Sequence, residues 1–524
     1  MKAGRARLKA VSNFGEATVG GSGIVSRLAP IACLLICAPM AGALFAHSAV
    51  ASDTPPRQYR PLIHTISSAG ATFTYVAAVE TIKTGPQNDV PDANIVVLSF
   101  VGESDAKHGK ADTARRPIVF AFNGGPGASS IFLNLGLLGP EKLDVSGDVD
   151  VPVGPHPALV KNPDTLLTAA DLVFIDPAGT GFSRVVRDTD AGYFRSVNGD
   201  AASVAQIIAR WSSVHKREGS PSFIMGESYG AVRAVEVARD LAHASASRID
   251  LRGLILFSQS LGIIDTVQRR SNIVGQAVGL PTLAATAWFH KRAGTSETLE
   301  GFTRRAQDFA TESYLPALYA GSALAPDKRT LIAKELADFT GVSAEYFEQH
   351  RLFLTKEDFR RLLLADKGLI LGLYDTRYTG PLSTAGDPSD AIIEALSAAA
   401  GGYLHREFGI DDASSYRPLG PGEDQWRYIE RPFAPTTGED YGQIDYAKDL
   451  VDLMRENDQL RVFVASGYFD TAASIGADEY LLTHNALDIS RIVACRYFGG
   501  HMFYSVPESR VRVSSELKRF VSTR

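Results

Sequence analysis

The chain reads as an α/β protein with a mostly parallel central sheet flanked by helices and one inserted, mainly helical cap. Three observations predict this: short apolar runs that stop at Gly or Pro, helix-length segments between them, and a long stretch that abandons the alternation. A continuous apolar run is the signature of a strand buried on both faces. Strands alternating with helices build a parallel sheet.

The elements follow in order. Phe73-Thr74-Tyr75-Val76 and Ile95-Val96-Val97-Leu98, within residues 62–103, look like antiparallel strands that extend the sheet. Core strands are predicted at residues 116–122, 172–176, 222–225 and 254–257, with helices over 198–217 and 230–243. From about 265 to 430 the sequence is rich in Ala, Leu and charged residues at helical spacing, as in 327–339 and 356–364. This is the expected cap, inserted between the sixth and seventh strands. Residues 461–465 and 489–494 then resume the strand pattern. The resulting division is 1–51 signal peptide, 52–264 core, 265–430 cap and 431–524 core.

The first 51 residues stand apart. Lys2, Arg5, Arg7, Lys9 and Arg27 precede an apolar run from about Leu28 to Ala46, and Ala49-Val50-Ala51 offers small residues for cleavage before Ser52. That is the pattern of a secretory signal. A membrane anchor is the competing reading, weakened by Pro30 and Pro39, and Cys33 and Cys37 sit in poor contexts for lipidation. Cleavage removes five basic side chains and Glu16, so the net charge moves from −6 to −10. An acidic exported protein is a poor partner for nucleic acid or an anionic membrane, and no stable membrane insertion is expected after cleavage. Only Cys495 survives, which excludes an internal disulfide and a cysteine-based metal site.

Chemistry concentrates at strand ends. Gly226-Glu227-Ser228-Tyr229-Gly230 is the one G-x-S-x-G in the chain; it follows an apolar strand and precedes a helical run. Glycines two residues either side let a strand turn sharply into a helix and expose the serine. Asp470 and His501 lie just past the strands 461–465 and 489–494, in the order Ser, acid, His. In these roles His501 takes the Ser228 proton and Asp470 holds the imidazole tautomer. The competing readings are an ordinary tight turn at Ser228, a loop cap at Asp470 and a surface histidine at His501. A tetrahedral intermediate also needs aimed donors. Asn123-Gly124-Gly125-Pro126-Gly127 follows the strand 116–122, so the N–H groups of Gly125 and Tyr229 are the expected oxyanion pair. Together these features define a serine hydrolase of the α/β-hydrolase type. No metal or cofactor is expected: there is no H-E-x-x-H and no phosphate loop with its lysine.

The combined motifs resemble the serine carboxypeptidase family, in particular its bacterial branch. The matching pieces are residues 123–130, Asp176-Pro177-Ala178-Gly179-Thr180-Gly181-Phe182-Ser183, residues 226–230 and Gly499-Gly500-His501-Met502, in family order. Residues 374–380 of the cap also look like that branch, without a role attached. The resemblance implies removal of C-terminal residues from peptides with a free C-terminus. It implies that Asn123, Gly124 and Glu227 hold the terminal carboxylate, with Glu227 protonated and its pKa raised by sharing a proton. Two departures stand out. The family's second glutamate is Leu137 here, and its loop cysteine is Ala128. The same triad serves an esterase or an acyltransferase, and a catalytically silent binding protein on this scaffold is the rival from another class.

Overall fold

The computed structural model describes residues 59–68, 70–85, 90–103, 116–151, 153, 158–244, 248–269, 272–383, 386–420, 426–428 and 445–523. They all fall in the compact unit Ala46–Arg524. The expected signal segment, 1–51, lies outside the described residues.

Nine strands run along one sheet: β1 Leu62–Ser68, β2 Ala71–Lys83, β3 Ala93–Gly102, β4 Ile118–Phe122, β5 Asp171–Ile175, β6 Pro221–Glu227, β7 Asp250–Phe257, β8 Arg461–Gly467 and β9 Ile492–Tyr497. Their spatial order is β1-β2-β3-β5-β4-β6-β7-β8-β9, with the two-residue Arg184–Val185 paired to β3. From β5 to β9 every pairing is parallel. β1, β2, β3 and β5 pair antiparallel, as a meander added to one side. This is the architecture of an α/β-hydrolase. β1 is one strand more than the sequence patterning indicates, so the insertion follows the seventh strand in chain order rather than the sixth. Its residues alternate only weakly in polarity and it lies at the sheet edge, where burial leaves little imprint.

The central strands have no polar face because each face meets its own helical layer. Val119, Ala121, Leu172, Phe174, Phe223, Met225, Ile255, Phe257 and Phe463 pack into one core, which the helices Ala391–Phe408 and Pro507–Ser522 complete. Their neighbours Ile118, Phe120, Phe122, Val173, Ile224, Leu254, Leu256 and Val462 enter the other, beneath the helices Val197–Val214, Tyr229–His243 and Tyr446–Glu456. Successive side chains point to opposite faces, so one five-residue strand feeds both cores. Each fully buried Val, Leu, Ile or Phe contributes about 1.5–3 kcal/mol.

Between β7 and β8 the chain is mainly helical. Helices Ile273–Phe289, Leu299–Phe309, Pro326–Thr340 and Lys356–Leu362 gather a core of their own around Phe302, Phe339, Phe347 and Phe359. The helix Ala391–Phe408 leaves that core and packs on the sheet. Among the described residues no helix is long and apolar enough to cross a membrane.

Candidate active site

The topology locates the site before any side chain is considered. From β4 the chain passes to β5 on one side and then to β6 on the other, so connections diverge from the carboxyl ends of β4 and β6. Ligands of open parallel sheets bind at such a switch point. Asn123 directly follows β4 and Ser228 directly follows β6, while Asp470 and His501 follow β8 and β9.

Ser228 sits between a strand and the helix Tyr229–His243 at φ +62°, ψ −129°, a conformation that L side chains rarely adopt. Its N–H donates to the Phe257 carbonyl at the end of β7, 2.9 Å. The sharp turn exists because Gly226 and Gly230 flank it: a Cβ on Gly226 would stand 1.8 Å from the Gly230 carbonyl oxygen. The oxyanion loop presses on the same turn. A Cβ on Gly124 would lie 2.6 Å from the Tyr229 nitrogen and 2.6 Å from the Glu227 oxygen, so only glycine brings that backbone so close. Gly125 holds φ +97°, again a glycine conformation. Gly124, the residue before the predicted oxyanion donor Gly125, therefore lies against Tyr229, whose N–H stands at the open amino end of a helix.

The Nδ1 of His501 is 2.6 Å from the Oδ2 of Asp470, and both residues are buried. The other Asp470 oxygen accepts the N–H groups of Ala472 and Ala473, 2.8 and 3.0 Å. Burial pulls the His501 pKa down, but the adjacent Asp470 carboxylate and then Glu227 outweigh it and hold the imidazole above its ordinary value. Ser258, the residue after β7, donates from its hydroxyl to the His501 carbonyl, 2.9 Å. The end of β7 thus holds the Ser228 backbone through Phe257 and the His501 backbone through Ser258.

Glu227 is fully enclosed and accepts the Tyr504 hydroxyl at 2.6 Å on Oε2. Burial pushes its pKa up to about 7, with the nearby His501 and the Tyr504 hydrogen bond pulling the other way. The aromatic ring of Tyr504 lies against Gly136, where a Cβ would stand 2.5 Å from Cε2. The neighbouring Leu137, in the residue position that lacks the family's second acid, is buried in apolar surroundings. A tyrosine hydroxyl is thus the partner of Glu227. Tyr504 is a site residue that sequence reasoning missed; the missing acid at Leu137 was the signal that another partner was needed.

Asn123 has its amide oriented by the chain: Oδ1 accepts the Leu133 N–H, 2.9 Å, so Nδ2 is the end that can donate. Its backbone carbonyl accepts the guanidinium of Arg233, which also pairs with Asp200 at 2.6 Å. The motif starting at Asp176 braces this loop rather than entering the chemistry. Its carboxylate accepts both the Ser130 N–H and the Ser130 hydroxyl, and Ser183 ties its carbonyl to β3. Residues from the far end of the insertion lace the same loop, through Ser129 N–H to the Pro418 carbonyl and Gly420 N–H to the Gly127 carbonyl. Among the described residues no cluster of His, Cys, Asp or Glu has the makings of a metal site.

Residues 105–307 match the serine carboxypeptidase family. Relatives include the pheromone-processing carboxypeptidase KEX1 of Komagataella phaffii, 33% identical over 139 residues, which is 25% of this chain and 20% of that protein. Serine carboxypeptidase 1 of Hordeum vulgare is 25% identical over 193 residues, 35% of this chain and 36% of that one. The alignments thus span about a fifth to a third of these relatives. Among solved structures, the Saccharomyces cerevisiae prohormone-processing carboxypeptidase Kex1(delta)p aligns at a TM-score of 0.49 and 14% identity, over 84% of this chain and 91% of that one. The family match contains Asn123, Gly124, Gly125, Glu227, Ser228 and Tyr229 but ends before Asp470 and His501.

Proposed function

With its residues 105–307 related to the serine carboxypeptidases, we propose that this protein is a serine-type carboxypeptidase that releases C-terminal residues from peptides. The observation that carries the reading is the buried His501–Asp470 hydrogen bond, at the carboxyl ends of β8 and β9, on the same edge of the sheet as the strained Ser228 at the end of β6. Ser228 Oγ attacks the scissile carbonyl while His501 takes its proton, and the Gly125 and Tyr229 N–H groups receive the developing oxyanion. His501 then protonates the leaving amine. Water, deprotonated by the same imidazole, attacks the acyl-enzyme carbonyl and releases Ser228 and the shortened peptide.

Asn123 Nδ2, the Gly124 backbone and a protonated Glu227 form the clamp for the substrate's terminal carboxylate. The Tyr504 hydroxyl donates to Oε2, which leaves the Glu227 proton on Oε1, free to donate to a ligand. The clamp therefore has a pH sense. Below about 7 Glu227 is protonated and donates; above it, two carboxylates face each other. The charged residues 1–51 and their apolar run support export to the periplasm or the extracellular space.

The test compares a blocked dipeptide carrying a free C-terminus with its C-terminal amide, across pH. The ratio of kcat/KM for the free acid to that for the amide is expected to fall as pH rises through about 7: deprotonation of His501 acts on both substrates alike and cancels, while loss of the Glu227 proton acts on the free acid alone. Glu227→Gln, which donates at any pH, removes that fall, and Ser228→Ala abolishes turnover of both. An acid-to-amide ratio that is flat or rises with alkali contradicts the clamp, as does Glu227→Gln losing activity at every pH. Equal use of acid and amide with a working triad removes the carboxylate clamp and leaves the esterase or acyltransferase reading standing.

A further inference from the structure

The segment Leu373–Arg377, supplied by the insertion, touches both loops that carry the acid and the base, residue by residue. The Leu373 carbonyl accepts the Thr471 hydroxyl at 2.6 Å, next to Asp470. The Tyr374 carbonyl accepts the His501 N–H at 2.6 Å. Asp375 Oδ2 accepts the N–H of Gly500 at 3.0 Å, so both peptide N–H groups leading into the His501 side chain end on this segment. Thr376 returns to the other loop, donating from N–H and hydroxyl to the Phe469 carbonyl, 3.0 and 3.1 Å. Arg377 spans the two, with its guanidinium 5.7 Å from the ring centre of Phe469 and 5.2 Å from that of Phe498.

Asp375 and Arg377 hold each other as a forked pair, with Nε to Oδ1 at 2.9 Å and Nη2 to Oδ2 at 2.6 Å, and both are buried. Helix Ile273–Phe289 and the residue after it anchor the segment from behind: Thr286 and His290 bond the Thr376 hydroxyl and carbonyl at 2.6 and 2.7 Å. The approach is too close for any side chain at residue 500. A Cβ there would stand 2.3 Å from the Tyr374 oxygen and 2.4 Å from the Asp375 Cβ.

We propose that Asp375 and Arg377 are positioning residues for the reaction: as a neutral, rigid pair they fix the His501 loop against the Asp470 loop and so set the aim of the imidazole at Ser228. A matched pair suits the task. A lone carboxylate or a lone guanidinium here would place an unbalanced charge beside the base, whereas the pair supplies an acceptor for Gly500 and a plate for two rings with no net charge. The role rests on the triad reading above, and it assigns a duty to a part of the insertion that the family resemblance left without one.

The test uses an activated ester that carries no terminal carboxylate, so that acylation is read apart from the clamp. Alanine at either position strands a buried charge and removes the contacts together, so the informative variants are Arg377→Lys, which keeps the charge balance but loses the fork and the stacking, and Asp375→Asn, which unbalances the Arg377 charge but keeps an acceptor for Gly500. Melting temperature falls for a structural or a positioning role alike and serves only to show that each variant is folded. The discriminating readouts are kcat against KM, and the low-field proton resonance of the His501 Nδ1–H shared with Asp470. We expect kcat to fall about tenfold to a hundredfold with KM changed less than about threefold, and the low-field resonance to shift or broaden. Folded variants with wild-type kcat and an unmoved resonance overturn the proposal while the triad stands. A wild-type chain that neither turns over the ester nor takes a fluorophosphonate label at Ser228 removes the triad reading, and the positioning role with it.

Discussion

At Ser228 the backbone is held at φ +62° and ψ −129° with a side chain in place, and such conformations cost of order 1–3 kcal/mol. The strain survives because the surroundings over-determine it: the Phe257 carbonyl takes its N–H, Ser260 bonds its carbonyl at 3.2 Å, and glycines flank it on both sides. The return is exposure of the hydroxyl at the head of a helix, where the Tyr229 N–H lies next to it. This exchange can be measured. Ser228→Ala loses the hydroxyl but keeps the Cβ, hence the strain. Ser228→Gly loses both, and part of the gain is offset by the extra freedom of glycine in the unfolded chain. Ser228→Gly is therefore expected to be the more stable of two inactive variants, by about 1 kcal/mol. Equilibrium denaturation of the pair checks it; a glycine variant equal to or weaker than the alanine variant shows that the turn is not strained.

Helix Tyr229–His243 does more than present the serine at its head, because one turn in, Arg233 reaches back under the oxyanion loop. Fully buried, it pairs with Asp200 on the helix Val197–Val214, bonds the Asn123 carbonyl and lies over the rings of Phe122 and Tyr229 at 5.4 and 5.1 Å. Asp200 also accepts the Tyr229 hydroxyl, 3.2 Å. Removing one member strands the other in a dry core, which costs about 3–5 kcal/mol, whereas replacing both with apolar side chains is much less damaging. Arg233→Met is expected to lose stability in that range, and Asp200→Leu combined with it to recover a large part. A double variant no more stable than the single one contradicts the pairing. This network also shows what sequence reveals and what it hides. The strands of the central sheet are legible because burial on both faces erases polarity from a short run; Ser228 directly follows such a run, and Asp470 and His501 lie within a few residues of the ends of β8 and β9. Asp200, Arg233 and Tyr504 are not, because each meets its partner across the fold; Asp375 and Arg377 pair locally, but the loops they hold lie far away in sequence, and no periodicity marks that contact. The last strand is a partial case. Residues 489–491 form a short turn capped by Asp488, and the strand runs Ile492–Tyr497 at an edge where Val493 stays exposed. One-sided burial leaves a fainter and misplaced signal.

Over the whole molecule, the buried carboxylates tilt stability toward acid. Burial pushes Asp176, Asp390 and Asp478 up to about 6 and Glu227 up to about 7, and raises Asp200 and Glu236 as well. In the unfolded chain these groups titrate near 4. Between those limits the native state binds more protons than the unfolded one, so stability falls as pH rises through the window. His501, held above its ordinary value, acts in the same direction: its contribution is present below the unfolded pKa and lost as pH rises through the folded one. His290, buried and lowered, acts in the opposite direction, since folding is disfavoured once it must be charged. Burial pushes Glu141 up, but hydrogen bonds and charge from Arg406 and Lys161 outweigh it and hold it low, so its contribution is lost as pH falls through its folded pKa. Several raised carboxylates and one raised histidine outweigh one lowered histidine between pH 5 and 8, by of order a few kcal/mol in sum. The expected result is a melting temperature several degrees higher near pH 5.5 than near pH 8, scanned at one rate and one ionic strength because unfolding of a chain this size is often irreversible. The reverse order would mean that the buried acids are stabilised as anions by the fold. The same direction governs the proposed clamp: on that reading Glu227 has to hold its proton to meet a substrate carboxylate, so the conditions that keep the core intact are those in which the clamp would grip a peptide's end.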